Sequence, residues 1–249
     1  MNQVLRELEE TGRTNLPSGR SVPLHSHIGP KSGRVIRNAI ELTRPKVACE
    51  VGLAFGVSTL YILETMRVNG QGMLIGMDPA QHDDTWQGGG LHNIRRAGFG
   101  DRYRFFEERS QRVLPRLEAD GTRIQFGFVD GWHTFDHGLV DFFFLDQMMD
   151  PGGIIVMDDA GYPSLARLCH FIVTNRAYEI VDMDQRVFET SVKSKIKFVA
   201  RQFCRPLVRD NFTPTSDARR LEQQVNVAQL LALRKIGNDR RSFDHFVAF

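Results

Sequence analysis

Four groups of residues have the types and spacing to do chemistry. The first is Glu50-Val51-Gly52-Leu53-Ala54-Phe55-Gly56-Val57-Ser58, in which a carboxylate and two glycines close a short apolar run. Glycine has no Cβ and tolerates unusual dihedrals, so a ligand can approach bare backbone there. The stretch reads as the floor of a nucleotide-type pocket. Asp78 ends a second apolar run just before Pro79 and reads either as a helix cap or as a pocket ligand. Asp130, Asp158 and Asp159 end two later runs. Three carboxylates without a nearby cysteine form a hard, oxygen-rich set suited to Mg²⁺, or to Ca²⁺ or Mn²⁺, rather than to zinc. Turn and cap formation is the alternative. Consecutive strand residues point oppositely, so a turn must begin at Asp158-Asp159 for both to face one ion. His133 follows Asp130 by three residues. An imidazole with a pKa of ~6.5 suits a general base near working pH, although beside Thr134 it also suits a helix start.

These groups need elements to hold them. Apolar positions predict helices over 31–42, 58–67, 91–97, 111–118, 135–149 and 165–174, and strands over 46–51, 72–77, 103–107, 124–129, 154–157, 178–183 and 196–200. Alternation of this kind implies an α/β fold with a mostly parallel sheet and helices on both faces. Ligands of such sheets bind beyond the carboxyl ends of the strands, where strand order reverses. Glu50, Asp78, Ser110, Asp130 and Asp158 all fall at or just past strand ends. If the strands before Asp130 and Asp158 are neighbours, their ends lie ~4.8 Å apart, within reach of one ion. The Phe142-Phe143-Phe144 cluster reads as core, and the long loop 79–91, with Gln81 and Trp86, as a functional connection.

The flanks differ in character. Residues 1–24 read as a polar arm with a short helix around 4–10. After Pro206, positions 217–235 carry Leu221, Val225, Leu230, Leu231 and Leu233 at helical spacing, which predicts a helical C-terminal extension over 206–249. Its last residues hold three phenylalanines, suited to a covering flap or to a homo-oligomer contact.

Lysine and arginine number 32 against 30 acids, a formal charge of +2, so nothing argues for nucleic acid. No apolar run approaches a membrane span of ~20 residues. Three scattered cysteines, Cys49, Cys169 and Cys204, suit reduced thiols and a cytoplasmic location. A small molecule is the expected ligand.

An NAD fingerprint needs G-x-G-x-x-G, whereas position 54 is alanine. The spacing Glu-x-Gly-x-x-x-Gly-x-Ser instead resembles motif I of the class I S-adenosylmethionine-dependent methyltransferases, with Asp78 at the place of the acid that binds the ribose hydroxyls. Ser110-Gln111 followed by Leu114-Pro115, Phe128-Val129-Asp130-Gly131-Trp132-His133, and Pro151-Gly152-Gly153 through Asp158-Asp159 are similar to segments of the catechol and macrocin O-methyltransferase branch. The resemblance implies a Rossmann-like, doubly wound, seven-stranded sheet and an S-adenosylmethionine-binding domain over 25–205. It implies an O-methyltransferase acting on a hydroxyl of a small molecule. The cofactor would be held by Glu50, Gly52, Gly56, Ser58, Asp78, Gln81, Ser110, Gln111 and Asp130. Asp130, Asp158 and Asp159 would hold a metal where one assists, and His133 with Asp130 would carry catalysis. His133 stands where the catechol enzymes have a lysine; Trp132 stands where macrocin-type enzymes often have an acid, which counts against a sugar acceptor. Two alternatives stay open: a cephalosporin-hydroxylase-like enzyme, which would need iron that no two-His-one-carboxylate pattern provides, and a non-catalytic S-adenosylmethionine-binding protein.

Overall fold

The computed structural model describes residues 1–70, 72–185 and 224–249. The chain opens on α1 (Gln3–Thr11), whose N-terminus is capped by the Asn2 side chain accepting from the Val4 N–H at 2.9 Å. A small hairpin, β1 (Arg13–Asn15) with β2 (Ser21–Pro23), follows. Then come α2 (Pro30–Thr43), β3 (Val47–Val51), α3 (Val57–Val68), β4 (Met73–Met77) and α4 (Gly89–Arg96). β5 (Tyr103–Phe106), α5 (Ser110–Ala119), β6 (Ile124–Val129), α6 (Phe135–Gln147) and β7 (Met149–Met157) continue the alternation. α7 (Pro163–Asn175), β8 (Tyr178–Gln185) and β9 (Ala228–Lys235) complete it. The expected strand over 196–200, Cys204, and positions 217–223 of the expected tail helix lie outside the described residues.

Seven strands form one mixed sheet in the order β5-β4-β3-β6-β7-β9-β8. The first five are mutually parallel, and β9 runs antiparallel to both β7 and β8. Strand order reverses between β3 and β6, the switch point where ligands of open α/β sheets bind. Two cores sandwich the sheet. One packs Val113 and Leu117 of α5, Phe142 and Leu145 of α6, and Leu165 and Leu168 of α7 on one face. The other packs Leu5 of α1, Ile36 of α2, Leu60 of α3 and Ile94 of α4 on the opposite face.

Two expectations are corrected. Residues 228–235 are not a helix but the strand β9, inserted between β7 and β8. Leu231 and Leu233 enter one core while Leu230 and Ala232 enter the other. A strand covered on both faces loses the apolar–polar alternation that would betray it, so its unbroken apolar run also satisfies helical spacing. The stretch read as a polar arm carries its expected helix as α1 and packs against α3. Val4, Leu5 and Leu8 are buried, Arg96 of α4 pairs with Glu7 at 2.6 Å, Tyr61 of α3 bonds Glu9, and Asn93 bonds Thr14 at 2.8 Å. Within the phenylalanine triplet only Phe142 is fully buried, and Phe143 is exposed. The chain end stacks Phe249 on Phe135 and sets it edge-on to Phe171, leaving Phe243 and Phe246 in solvent.

Candidate active site

Sheet register builds the site. Phe106, Met77, Val51, Val129 and Met157 stand side by side as the last residues of their strands. The ladder then runs on by one residue: Asp78 N–H donates to Phe106 O at 3.1 Å, Gly52 to Met77 O at 2.9 Å, Asp130 to Val51 O at 2.9 Å, and Asp158 to Val129 O at 3.0 Å. Asp78, Gly52, Asp130 and Asp158 therefore form one rank along the carboxyl edge, spaced by ~4.8 Å per strand. Their order in the rank is set by topology, not by order in the chain.

The glycine turn is packed from behind. Gly52 has φ +91°, and a Cβ there would lie 1.9 Å from the carbonyl oxygen of Asp130. Only glycine fits between the two strand ends. Glu50 is fully buried and accepts from Ser58 Oγ at 2.7 Å and Thr59 Oγ1 at 2.6 Å, which locks the strand to the first turn of α3. Burial pushes its carboxyl up to about 7, against the lowering by those two hydroxyls. Asp78 is 7% exposed; its Oδ2 accepts from the Leu53 and Ala54 amides at 3.0 and 3.2 Å and its Oδ1 from the Ala80 amide at 2.8 Å. A carboxylate has about four acceptor positions, so Asp78 keeps capacity for a ligand hydroxyl.

Gln81 is completely buried and donates through Nε2 to Ala54 O at 2.8 Å, so it braces the turn from below. Ser110, the first residue of α5, faces the buried Asp141 of α6 and favours its ionised form, while burial raises that carboxyl to about 6. Gln111 lies on the exposed side of α5. Over the turn, His25 stacks on Trp86 at 5.0 Å and meets Phe55 edge-on at 5.1 Å. The long loop 79–91 is thus tied to the segment ahead of α2, while Trp132 is 71% exposed and belongs to no core.

On the other side of Gly52 lie Asp130, Asp158 and Asp159, which among the described residues are not set to share one ion. Asp159 has φ +50°, the turn needed for it and Asp158 to face one way. Both accept from Gln229 Nε2, each at 2.9 Å. His133 Nε2 stands 3.4 Å from Asp130 Oδ1, and its Nδ1 stands 3.3 Å from Asp159 Oδ2. A quarter (25%) of the Asp130 side chain meets solvent, yet its carboxyl is pushed up to about 8, chiefly by burial and next by the charge of Asp159. Asp158 is raised by burial, then by Asp130 and Asp159. Asp130 and Asp158 therefore hold protons that isolated carboxylates would release. Gln229 had no signal in the sequence, because it reaches this edge only through the antiparallel insertion of β9.

Comparisons agree with this architecture. A family model described as a methyltransferase domain matches residues 49–160. Among solved structures, an O-methyltransferase of Bacillus cereus in complex with S-adenosylhomocysteine is 16% identical, with a TM-score of 0.59 over 75% of this chain and 86% of that one. TomG of Streptomyces achromogenes, an O-methyltransferase of tomaymycin synthesis in complex with S-adenosylmethionine, is 13% identical, with a TM-score of 0.61 over 95% and 91%. A methyltransferase of Podospora anserina bound to S-adenosylhomocysteine is 17% identical, with a TM-score of 0.54 over 94% and 88%. No curated protein sequence matches the chain. The glycine turn and the strand-end acids fall within the segment that matches a methyltransferase domain, and that segment is carried on the seven-stranded sheet of the class I S-adenosylmethionine-dependent methyltransferase fold.

Proposed function

We propose that the protein is an S-adenosylmethionine-dependent O-methyltransferase acting on a hydroxyl of a small molecule. The observation that carries this reading is the single rank of Asp78, Gly52, Asp130 and Asp158, which sets a cofactor-type turn directly beside a candidate base. When bound, the cofactor supplies an electrophilic methyl group on a sulfonium that departs as a neutral thioether. Gly52 and Gly56 give it bare backbone, Asp78 accepts its ribose hydroxyls, and Ser58, Ser110, Gln111 and Asp130 line its path. Glu50 and Gln81 act through others: Glu50 holds Ser58 and Thr59, and Gln81 holds the Ala54 carbonyl. His133 takes the acceptor's hydroxyl proton, Asp130 and Asp159 orient the ring, and the Asp159 carboxylate stabilises the imidazolium that results.

Metal assistance by Mg²⁺, Ca²⁺ or Mn²⁺ at Asp130, Asp158 and Asp159 is the competing account of the same cluster. The oxygen donors suit such an ion. Their arrangement does not, because a hydrogen-bond donor, Gln229 Nε2, stands against both Asp158 and Asp159. Among the described residues no three acidic, imidazole or thiol groups are set to share an ion.

Calorimetry with S-adenosylhomocysteine, followed by a turnover screen of phenolic and sugar hydroxyls, tests the reading. No binding heat refutes it. Binding without turnover of any hydroxyl supports the non-catalytic alternative, and iron-dependent hydroxylation supports the hydroxylase one. His133→Ala is expected to lower kcat by about 10²- to 10⁴-fold with cofactor affinity unchanged; unaltered kcat removes His133 as the base. A cytoplasmic site suits the free, buried thiols of Cys49 and Cys169. The exposed Phe243 and Phe246 support self-association through the tail, which light scattering of the Phe243→Ser, Phe246→Ser double variant checks.

A further inference from the structure

The cluster at the acceptor side joins groups from three strand ends. Asp158 and Asp159 each accept from Gln229 at 2.9 Å, Asp159 meets His133 at 3.3 Å, and His133 in turn meets Asp130 at 3.4 Å. Three carboxylates this close repel one another when ionised, and beyond the protons that Asp130 and Asp158 retain, a positive group between them relieves that repulsion. A divalent ion is one solution. An amide NH₂ is another, since its two hydrogens carry partial positive charge and point in fixed directions.

We propose that the side-chain amide of Gln229 takes the place of a divalent cation between Asp158 and Asp159, and so acts as a positioning residue that lets the site work metal-free. Gln229 is placed for this by the fold. β9 runs antiparallel to β7, with Met157 opposite Leu231, so the beginning of β9 reaches the edge where β7 ends. Gln229 O also accepts from the Ala160 N–H at 3.1 Å, which fixes the backbone under the side chain. The left-handed turn at Asp159 then presents two carboxylate oxygens to one amide nitrogen. By holding Asp159, Gln229 also holds the group that faces His133 Nδ1. Substrate is not touched by Gln229; its effect passes through Asp159 to the imidazole.

The inference rests on the methyltransferase reading of the site, and its test is separable from that reading. Mn²⁺ binding by the full-length protein, read by electron paramagnetic resonance, requires no acceptor, while S-adenosylhomocysteine calorimetry on the same samples reports the cofactor site. Wild type is expected to bind no stoichiometric Mn²⁺ at millimolar concentration. Gln229→Glu, which replaces the donor with a fourth carboxylate, is expected to gain at least tenfold in Mn²⁺ affinity, about 1.4 kcal/mol. Gln229→Ala is expected to gain less, since it removes the donor without adding a ligand. Asp158→Ala placed on Gln229→Glu should abolish the gain. Equimolar Mn²⁺ binding by wild type that Asp158→Ala removes overturns the proposal, and so does failure of either folded Gln229 variant to gain affinity. Circular dichroism identifies a variant that does not fold; Gln229→Asn then serves, being expected to gain Mn²⁺ affinity because its shorter amide cannot span both carboxylates.

Discussion

Gly52→Ala isolates the close approach of the glycine turn to the end of β6. An alanine Cβ would sit 1.9 Å from the Asp130 carbonyl oxygen and 2.8 Å from its carbonyl carbon, against 3.4 Å for ordinary contact. The obstructing atoms are backbone, and the Asp130 N–H is itself held by Val51 O at 2.9 Å, so no rotamer change relieves the overlap. The two strand ends must part by more than an ångström. A left-handed dihedral adds about 1–2 kcal/mol for a residue bearing a Cβ. Displacements of this size at a positioned site cost about 10²-fold, so S-adenosylhomocysteine affinity should fall about 100-fold, or about 2.7 kcal/mol. Gly121→Ala is the matched control: its φ of +74° imposes similar strain, but nothing lies within 4 Å of the added Cβ. It should lower stability slightly and leave binding unchanged. Calorimetry on both variants, with thermal melts to show that each folds, decides the matter. A Gly52→Ala protein that binds within threefold of wild type would refute the reasoning.

Other consequences follow from burial. Asp146 of α6 is 2% exposed and gathers Arg176, Lys235 Nζ at 3.0 Å and the Tyr178 hydroxyl at 2.7 Å. Asp146→Ala strands two buried cations, which costs about 3–5 kcal/mol and should lower Tm by roughly 6–20 °C; a drop below about 2 °C would show that the network is not strongly stabilising. Glu50 has a folded pKa of about 7 against 4.5 for the free side chain, so it contributes stability that is full below 4.5 and lost as pH rises through 7. Glu50→Gln should flatten the stability profile in that window, measured by urea unfolding across pH, and an unchanged slope would contradict the burial argument. Leu5→Ala, at a fully buried position of α1, should cost about 2–5 kcal/mol; a neutral result in the same unfolding assay would mean that α1 does not belong to the core.

Local chemistry determined much of this protein from the sequence alone. The turn at Gly52, the strand-end positions of Glu50, Asp78, Asp130 and Asp158, and the helices between them were legible because glycine, proline and apolar periodicity act over a few residues. The resemblance of those motifs to class I methyltransferases followed from the same short stretches. Tertiary structure decided what depends on distant partners. That Asp78, Gly52, Asp130 and Asp158 form one rank is a property of strand order and register. That Gln81 braces the turn, and that Ser110 faces Asp141, depends on side-chain direction, which spacing does not specify. β9 was unreadable because a strand buried on both faces loses its alternation. Its insertion between β7 and β8 is also what carries Gln229 to the acidic cluster, and no local pattern in the chain encodes that meeting.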